Sequence, residues 1–571
     1  MSQAPPHDLD AFVQLRASFF ERYLRAQPEE ATTLGLHHLD DRLKDLSVGA
    51  LGDEYALHRE VLACLERMSG GEWPTDARLD WQAMLDITRY HVHAYEELRG
   101  HRRNIELSTY PHTMLQYQIA QAETAGDWEV IASRTARIPT FLQQQERLLT
   151  EGLATGEVPD VYTVRDFSED QLPVIVHYLE HMAEVPGAHE VHLTEGQRRS
   201  LQLAAREARD AFAIHLRFLR EQVLPRASPS VVLGAEEYAW RLRYTFGLTA
   251  SPEELVGQAQ EVLAEAQHAL QRLSGALGRE VPGAPSSLSG LGEARELLAR
   301  LEVHHPAREE DIIPLYRELI AHAEAFVHEQ GMFHVPEGLR LGIKPLPPGM
   351  VDVRGTNWPA PLLDASKVGW FVLAPLAAAH PTVWAALLAV HEGIPGHFLQ
   401  SVAWQRAFCQ HPAPVRFLLV TDHVAMARGH FGAMLNIEGY ATYAEGRMRH
   451  AGFYTTAEEL TALVARALRA VRVVVDIGLH TERMDDEAAV RYLVQHACMP
   501  EPHARREILR FKRIPMQSIT YLLGALEFER LEEDCRRARG LHFDEARFHD
   551  ELFSFGPVPP SRMRPFMLGP E

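Results

Sequence analysis

Two histidines and a glutamate lie close together at the end of a strongly apolar stretch, in the segment His391-Glu392-Gly-Ile-Pro-Gly-His397. Burying a carboxylate beside two imidazoles is costly unless a cation compensates for the charge. Imidazole and carboxylate groups are ligands that Zn²⁺ prefers, and a catalytic zinc site keeps one position open for water. The segment therefore predicts a zinc site.

The spacing of the two histidines is unusual, because they are six residues apart. The common His-Glu-x-x-His helix places its histidines four apart on one face. On a regular helix six residues rotate the second imidazole by ~600°, roughly 120° away from the first. Pro395 cannot donate a backbone hydrogen bond and Gly396 allows unusual dihedral angles, so a bulge here could bring the two rings together. The alternative is that both histidines are core residues and that Glu392 pairs with an arginine.

A third ligand is expected from a carboxylate on a following helix. Glu438 is the best candidate, in the segment NIEGYATYAEG, and Glu445 lies seven residues later on nearly the same helical face. Alone, these two acids would fit a solvated helix face. Beside the histidine pair we interpret them as a metal ligand and a carboxylate that supports a ligand.

Two later segments supply further candidates. RAVRVVVDIGLH carries Asp476 inside a strongly apolar run and ends in His480, and RIPMQSITYLLG places Tyr521 in a helix that is expected to be buried. The alternative for each is structural. Asp476 would then pair with an arginine, and Tyr521 would only pack.

The elements that must position these residues are predicted to be helices. From Leu9 to Leu273, apolar residues recur at steps of three and four. Ser251-Pro-Glu-Glu254 is typical of a helix start, with a capping residue, a first-turn proline and two acids. Thr456 and Glu459 predict a second capping box.

The least helical part of the chain lies just before the histidine motif. The short apolar run Val368–Leu373 is β-favouring and predicts a strand. The segment Gly275–Gly290 is rich in Gly, Pro and Ser and predicts a loop. We expect a single domain over residues 1–571, with possible sub-domains at 1–274 and 291–571.

The bulk composition excludes several classes of protein. Apolar residues make up 46% and charged residues 24% of the 571 residues, as in an ordinary folded globule. The formal charge is −21, from 57 basic and 78 acidic residues, so nucleic acid and membrane partners are not expected. No Gly-Lys pair occurs, which excludes a phosphate-binding loop of nucleotide hydrolases.

Location is predicted from the N-terminal segment and the cysteines. No basic start followed by a long apolar run is present, so we expect a cytoplasmic protein. The four cysteines are far apart, which predicts reduced thiols without a disulfide framework: Cys64, Cys409, Cys498 and Cys535.

Taken together, these segments resemble the bacterial domain-of-unknown-function family 885. Its His-Glu-x-x-Pro-Gly-His-x-x-Gln signature is matched from His391 to Gln400. The other shared stretches are Leu34–Ser47, Glu438–Glu445, Val475–His480 and Pro515–Gly524, so the likeness spans nearly the whole chain. Two positions depart from the commoner pattern: Tyr440 stands where tryptophan is usual, and Met516 where glycine is usual.

The resemblance implies a fold and an activity. The family is similar to the gluzincin peptidases, with a cleft like those of the thermostable carboxypeptidases and angiotensin-converting enzyme. The thermostable carboxypeptidases also place a second glutamate seven residues after their ligand glutamate. Dipeptidyl peptidase III offers a parallel for a metal-binding helix with extra residues between its histidines. We therefore expect a mainly α protein, a large helical domain with a deep cleft and a small β element, in a zincin-like architecture.

The expected activity is that of a zinc-dependent metallopeptidase that cleaves short peptides with a metal-activated water. In this hypothesis His391, His397 and Glu438 hold Zn²⁺, and Glu392 is the general base. The remaining roles are as follows: Tyr521 and His480 stabilise the oxyanion, and Gln400, Glu445 and Asp476 support the ligands. The strand at Val368–Leu373 would line the cleft and pair with the peptide backbone.

Two alternatives remain open. A zinc hydrolase of a non-peptide amide or ester would share every residue named and differ only in pocket shape. A non-catalytic helical binding protein would have a structural metal site or none. The intact Glu392 favours the enzyme, because a structural site does not need a free carboxylate there. The expected partner is a short peptide or small amide substrate, and the sequence does not predict the oligomeric state.

Overall fold

Helices dominate the structure, as the apolar periodicity predicts. The structure is a computed structural model, and it describes residues 7–185, 191–230, 232–281, 283–284, 288, 290–346, 354–419, 432–497 and 499–569. Fourteen helices precede the histidine motif: α1 His7–Ala26, α2 Pro28–Leu34, α3 Val48–Leu65, α4 Thr75–Glu96, α5 Tyr110–Gln121, α6 Ala125–Thr135, α7 Ile138–Thr155, α8 Val161–Asp166, α9 Leu172–His181, α10 Glu195–Phe218, α11 Ala235–Tyr244, α12 Pro252–Glu280, α13 Leu291–Leu301 and α14 Ile312–Gln330, all within the described ranges.

Nine further helices of the described ranges carry or follow the motif. They are α15 Thr382–Glu392, α16 His397–Phe408, α17 Met434–His450, α18 Thr456–His480, α19 Asp486–His496, α20 Glu501–Arg513, α21 Thr520–Arg539, α22 Glu545–Ser554 and α23 Pro560–Met567. In the described part of the chain, no helix is long and apolar enough to cross a lipid bilayer.

One small sheet lies between α14 and α15. Its strands are β1 Gly342–Pro345, β2 Gly355–Trp358 and β3 Trp370–Leu373, and the spatial order is β1-β3-β2. β3 runs parallel to β1 and antiparallel to β2. The strand predicted within Val368–Leu373 is therefore confirmed, but its expected pairing with a peptide is wrong. β3 is the central strand, so it has a strand partner on each side, and the outer edges belong to β1 and β2.

The helix starts depend on local capping. Ser251 caps α12 and forms the predicted box with Glu254. The capping box at α18 is shifted by one residue from the prediction. It is formed by Thr455 and Glu458, because Thr455 has the extended backbone of a capping residue and its side chain accepts a hydrogen bond from the Glu458 backbone N–H. The predicted loop at Gly275–Gly290 begins late, since α12 continues to Glu280 and buries Leu277.

The apolar cores combine distant parts of the sequence. One core joins α1–α4 with the motif helices α15 and α16 and with α22 and α23. A second is built around α18 and α12, and a third holds α5–α10 together. Because the first core contains residues from both ends of the chain, the N-terminal helices support the motif helices directly. The possible boundary between 1–274 and 291–571 stays a prediction.

Two glycines let α17 and α21 touch along their backbones. A Cβ atom added at Gly439 would lie 2.4 Å from the Gly524 Cα, and one added at Gly524 would lie 2.0 Å from the Leu435 carbonyl oxygen. Only glycine fits at such a contact. The contact lies beside Glu438 on α17 and one turn after Tyr521 on α21, so it sets the distance between the two predicted site residues.

Substituting Gly439 by alanine tests this contact. We expect Gly439→Ala to lower the free energy of unfolding by at least about 2 kcal/mol, since overpacking a rigid contact costs about 1–3 kcal/mol or more. Gly446→Ala on the same helix is the control, because its added Cβ meets only the Glu529 carboxylate at 3.9 Å. The control is expected to be neutral or more stable, and equal effects of the two variants in chemical denaturation would contradict the prediction.

Candidate metal centre

The chain leaves the helical path between the two histidines. α15 ends at Glu392 and α16 begins at His397, with a turn between them that contains a cis Ile394–Pro395 bond. A Cβ at Gly396 would lie 2.0 Å from the His391 carbonyl oxygen, so this position requires glycine. The expected irregularity is therefore a full break between two helices and not a bulge within one.

A tyrosine from α17 holds the turn in place. The Tyr440 hydroxyl is buried and donates a hydrogen bond to the Pro395 carbonyl at 2.8 Å. Burial raises the pKa of this hydroxyl well above its usual value, so it stays a neutral donor. At position 440, where the family pattern usually has tryptophan, this chain therefore has a tyrosine whose hydroxyl donates a hydrogen bond to the turn.

The break brings the two imidazoles together with one carboxylate. The ring centroids of His391 and His397 are 4.7 Å apart, and the rings are nearly perpendicular at 82°. Glu438 Oε2 lies 3.3 Å from the His391 Nε2 and 3.6 Å from the His397 Nε2. The three candidate ligand atoms all lie within 4.8 Å of one another. The predicted trio thus converges on one point.

Glu445 fixes the orientation of His391. Its Oε1 lies 2.7 Å from the His391 Nδ1, and it also accepts from the Arg469 guanidinium, whose Nη2 is 2.7 Å away. With Nδ1 bonded to this carboxylate, the Nε2 atom faces Glu438 and His397. This is the arrangement of a carboxylate that orients a metal-binding histidine.

The charges of this cluster are strongly coupled. Burial by itself lowers the pKa of His391, but the hydrogen bonds to Glu438 and Glu445 outweigh it and raise the pKa to about 10. Burial raises the pKa of Glu445, but Arg469 and His391 outweigh it and bring the pKa to about 2. Without a cation, the His391 ring therefore carries a proton between two carboxylates. A bound cation would take over the role of this proton.

Glu392 is buried beside the trio but bonds to a different element. Its Oε2 accepts a hydrogen bond from the backbone N–H of Asn357 in β2 at 2.8 Å. Burial raises the pKa of this carboxyl, and the nearby His397 and His391 oppose the rise. Among the residues that the structure describes, no arginine forms an ion pair with Glu392, which disfavours the structural alternative for this residue.

A cavity of about 260 Å³ opens onto the trio. Glu392, His397 and Glu438 form part of its wall, and apolar rings contribute much of the remainder: Tyr117, Trp358, Trp404 and Phe417. A concave, largely apolar space with a few polar groups is typical of small-molecule binding sites.

Tyr521 lies against the first histidine. Its ring is nearly parallel to the His391 ring, with centroids 6.3 Å apart and an angle of 21°. Its hydroxyl accepts a hydrogen bond from the Gln517 Nε2 at 3.1 Å, so its own proton is available for another acceptor. Burial and the nearby Glu438 raise its pKa to about 12, which keeps the hydroxyl protonated at neutral pH.

The other sequence-predicted residues lie at different distances from the trio. Gln400 lines the cavity and donates to the Asn436 side chain at 2.9 Å. The His480 ring is buried and bonds through Nε2 to the Phe511 carbonyl at 2.9 Å. This bond to a buried backbone carbonyl does not favour the expected oxyanion role.

Asp476 is the centre of a separate buried network. It accepts hydrogen bonds from the Tyr238 hydroxyl at 2.8 Å, the Ser518 hydroxyl at 3.0 Å and the Met516 backbone N–H at 3.2 Å. Met516 has a left-handed φ of 68°, a conformation that favours glycine. Methionine in place of the usual glycine therefore strains the backbone here. Asp476 therefore shapes the turn before α21, and supports Tyr521 only through that helix.

Three residues of the site were not predicted from the sequence. Arg469 bonds to Glu445 on α17, Gln517 bonds to Arg510 and Tyr521 on the two helices that flank it, and Asn357 contributes its backbone N–H. Arg469 and Gln517 do lie inside the quoted segments RAVRVVVDIGLH and RIPMQSITYLLG. For Arg469, the signal in the sequence was an arginine within a strongly apolar segment, which needs a carboxylate partner when it is buried.

Removing Arg469 should destabilise the protein strongly. Arg469→Leu removes the arginine that pairs with Glu445. The pair is largely buried, with the Arg469 side chain 13% and the Glu445 side chain 5% exposed. We expect a loss of about 3–5 kcal/mol in the free energy of unfolding. Arg466→Leu on the same helix is the matched control, because its pair with Glu529 is more exposed, at 20% and 33%, and is expected to contribute about 1 kcal/mol or less. Equal losses in urea denaturation would contradict this.

Comparisons with known proteins define the family and the fold. No curated protein matches the chain. A solved "putative lipoprotein" from Colwellia psychrerythraea is 19% identical, covers 98% of each chain and has a TM-score of 0.78. A "putative lipoprotein of unknown function" from Shewanella oneidensis is 18% identical, with a TM-score of 0.72 over 98% of this chain and 99% of that one. These likenesses show a shared fold.

A family model covers most of the chain. The model described as "Bacterial protein of unknown function (DUF885)" matches residues 28–567. This range includes the histidine motif, the three candidate ligands and Tyr521. The chain therefore belongs to the DUF885 family of bacterial proteins.

Proposed function

We propose that this protein is a zinc-dependent hydrolase, a metallopeptidase that cleaves short peptides with a metal-activated water. The observation that carries the proposal is the convergence of His391, His397 and Glu438 within 4.8 Å of one another, with His397, Glu438 and the buried Glu392 in the wall of a cavity. If the histidines and Glu438 formed only a structural ion pair, a second buried carboxylate beside them, Glu392, would not be needed.

The donor set fits zinc. Two imidazoles and one carboxylate are a known ligand set of catalytic zinc sites, and ligands ~2.1 Å from a tetrahedral ion lie ~3.4 Å apart. The observed separations of 3.3 Å and 3.6 Å between Glu438 and the two imidazoles agree with this value. His391, His397 and Glu438 would hold the ion, and Glu445 would orient His391.

The residues around the ion have distinct roles. When bound, zinc lowers the pKa of water from ~15.7 toward ~7 and polarises a carbonyl group. Glu392 would accept the proton of the water as its oxygen attacks the carbonyl carbon, and would then donate that proton to the amine nitrogen as the C–N bond breaks. The Tyr521 hydroxyl, which keeps its proton at neutral pH, donates a hydrogen bond to the oxygen that gains negative charge.

The edge of the sheet favours an extended substrate. β2 is one of the two edge strands, and its residues Thr356, Asn357 and Trp358 line the cavity. In an antiparallel strand the N–H and C=O of one residue point to the same side. Since the Asn357 N–H faces Glu392, its carbonyl faces the same outer edge. An extended peptide can donate a backbone N–H to this carbonyl next to the general base, which favours a peptide over an ester.

Zinc binding is tested by removing one ligand. We expect the purified protein to bind about one zinc ion, and His397→Ala to lose most of its zinc affinity because only two ligands remain. His411→Ala is the control, since this histidine lies after α16 and outside the trio. Metal content is measured by atomic emission after dialysis, and a full zinc load in His397→Ala would contradict the ligand assignment.

Glu392→Gln separates catalysis from metal binding. The amide keeps the size of the side chain but cannot accept the proton of water, so we expect retained zinc and a fall in kcat of at least about 100-fold. Hydrolysis of a library of short peptides is measured together with small amide and ester substrates. Turnover at the original rate would exclude Glu392 as the base, and turnover of esters alone would favour a non-peptide hydrolase.

Two expectations from the sequence remain separate predictions. The alternative of a non-catalytic binding protein predicts no hydrolysis of any substrate in that screen. The cytoplasmic location is likewise untested by the fold, and the two similar structures are described as lipoproteins. Neither point changes the chemistry proposed for the trio.

A further inference from the structure

Three arginines lie around Tyr521, and none of them lines the cavity. The Arg469 Cζ lies 5.8 Å from the centroid of the Tyr521 ring. Arg510 donates through Nη2 to the Gln517 Oε1 at 2.7 Å, and Gln517 in turn donates to the Tyr521 hydroxyl. The positive charges of Arg510 and Arg472 oppose the rise that burial causes in the pKa of Tyr521. All three cations are therefore close to the predicted oxyanion donor.

The charges in this cluster do not balance. Glu445 pairs with Arg469, and Glu507 accepts two hydrogen bonds from Arg472 at 3.0 Å and 3.2 Å. The nearest carboxylate oxygen to Arg510 among the described residues is the same Glu507 Oε1, at 3.8 Å. In direct pairs, three guanidinium groups thus share two carboxylates, because Glu438, the third carboxylate near Arg469 and Arg510, contacts the two imidazoles. The excess charge lies on Arg510, whose side chain is 34% exposed.

We propose that Arg510 binds a carboxylate group of the substrate beside the metal centre. A guanidinium presents parallel N–H donors that match a carboxylate, and a partly exposed arginine keeps donors available for a ligand. Gln517 holds the guanidinium next to Tyr521, so a bound carboxylate would lie close to the reacting carbonyl. The C-terminal carboxylate of a short peptide and an acidic side chain present the same chemistry. The inference rests on the proposed peptidase function and specifies its substrate.

The charges in the cavity wall support this direction of binding. Its lining includes the carboxylates Glu30, Glu392 and Glu438, and none of its described lining residues is lysine or arginine. A substrate carboxylate is therefore repelled from the cavity and attracted towards Arg510. The carboxylate-bearing end of the substrate would lie at α20 and α21, and the remaining chain would run along β2.

Equilibrium binding to the zinc-loaded Glu392→Gln protein tests the inference without turnover. The probes are N-acetyl-Ala-Ala-Ala, its C-terminal amide, and N-acetyl-Ala-Ala-Glu amide. We expect the free acid to bind about 10- to 100-fold more tightly than its amide, because the lost interaction is a charge-assisted hydrogen bond. If the Glu-containing amide binds as tightly as the acid, the carboxylate is recognised from a side chain as well.

Substitutions of Arg510 decide whether this residue is responsible. In the Glu392→Gln background, Arg510→Gln should bring the acid-to-amide ratio near 1, and Arg510→Lys should give an intermediate ratio because it keeps the charge but loses the paired donors. Arg506→Gln, an exposed neighbour on α20, should leave the ratio unchanged. Zinc content and the unfolding midpoint verify that each variant is folded.

The outcomes separate this inference from the proposed function. Equal affinity of the Arg510-containing protein for acid and amide, or a preference that survives in Arg510→Gln, would overturn the role of Arg510. A clear preference for the acid together with no hydrolysis by the unsubstituted protein would support Arg510 and overturn the peptidase. Hydrolysis of acid and amide with equal kcat/KM would support the peptidase and overturn carboxylate recognition.

Discussion

The site depends on one steric constraint, the interruption of the helix between Glu392 and His397. The His391 carbonyl approaches Gly396 so closely that no side chain fits there. Because the chain turns at this point and starts a new helix, two histidines that would face different directions on one helix face the same point. α17 then packs against the turn through Tyr440, and the same helix supplies the carboxylates on either side of that tyrosine.

A single helix, α17, therefore positions most of the residues of the site. Glu438 and Glu445 are two turns apart on α17 and bond to opposite nitrogen atoms of the His391 ring. Gly439, the next residue after Glu438, lets α21 approach until the backbones touch, and this places Tyr521 beside the ring. The ligand, the group that orients the histidine and the neighbouring hydroxyl are thus fixed by a single element and its closest neighbour.

The sequence allowed the trio to be predicted because residue type, spacing and a plausible break all pointed the same way. It did not allow the sheet edge to be assigned, since strand order depends on pairing between segments and not on the apolar run of β3 itself. Asp476 and His480 lie in an apolar stretch that suits a buried structural network as well as a site. The capping box at α18 was shifted by one residue because Thr455 and Thr456 are each followed three residues later by a glutamate.

The cavity walls come from both ends of the polypeptide. Leu34 and Tyr117 belong to α2 and α5, whereas the candidate metal ligands and Glu392 come from residues beyond position 390. A fragment made only of the C-terminal half would retain every candidate ligand and yet expose them to bulk water. Folding of the first 120 residues therefore completes the wall around the candidate ligands, so chain assembly and chemical competence are acquired together.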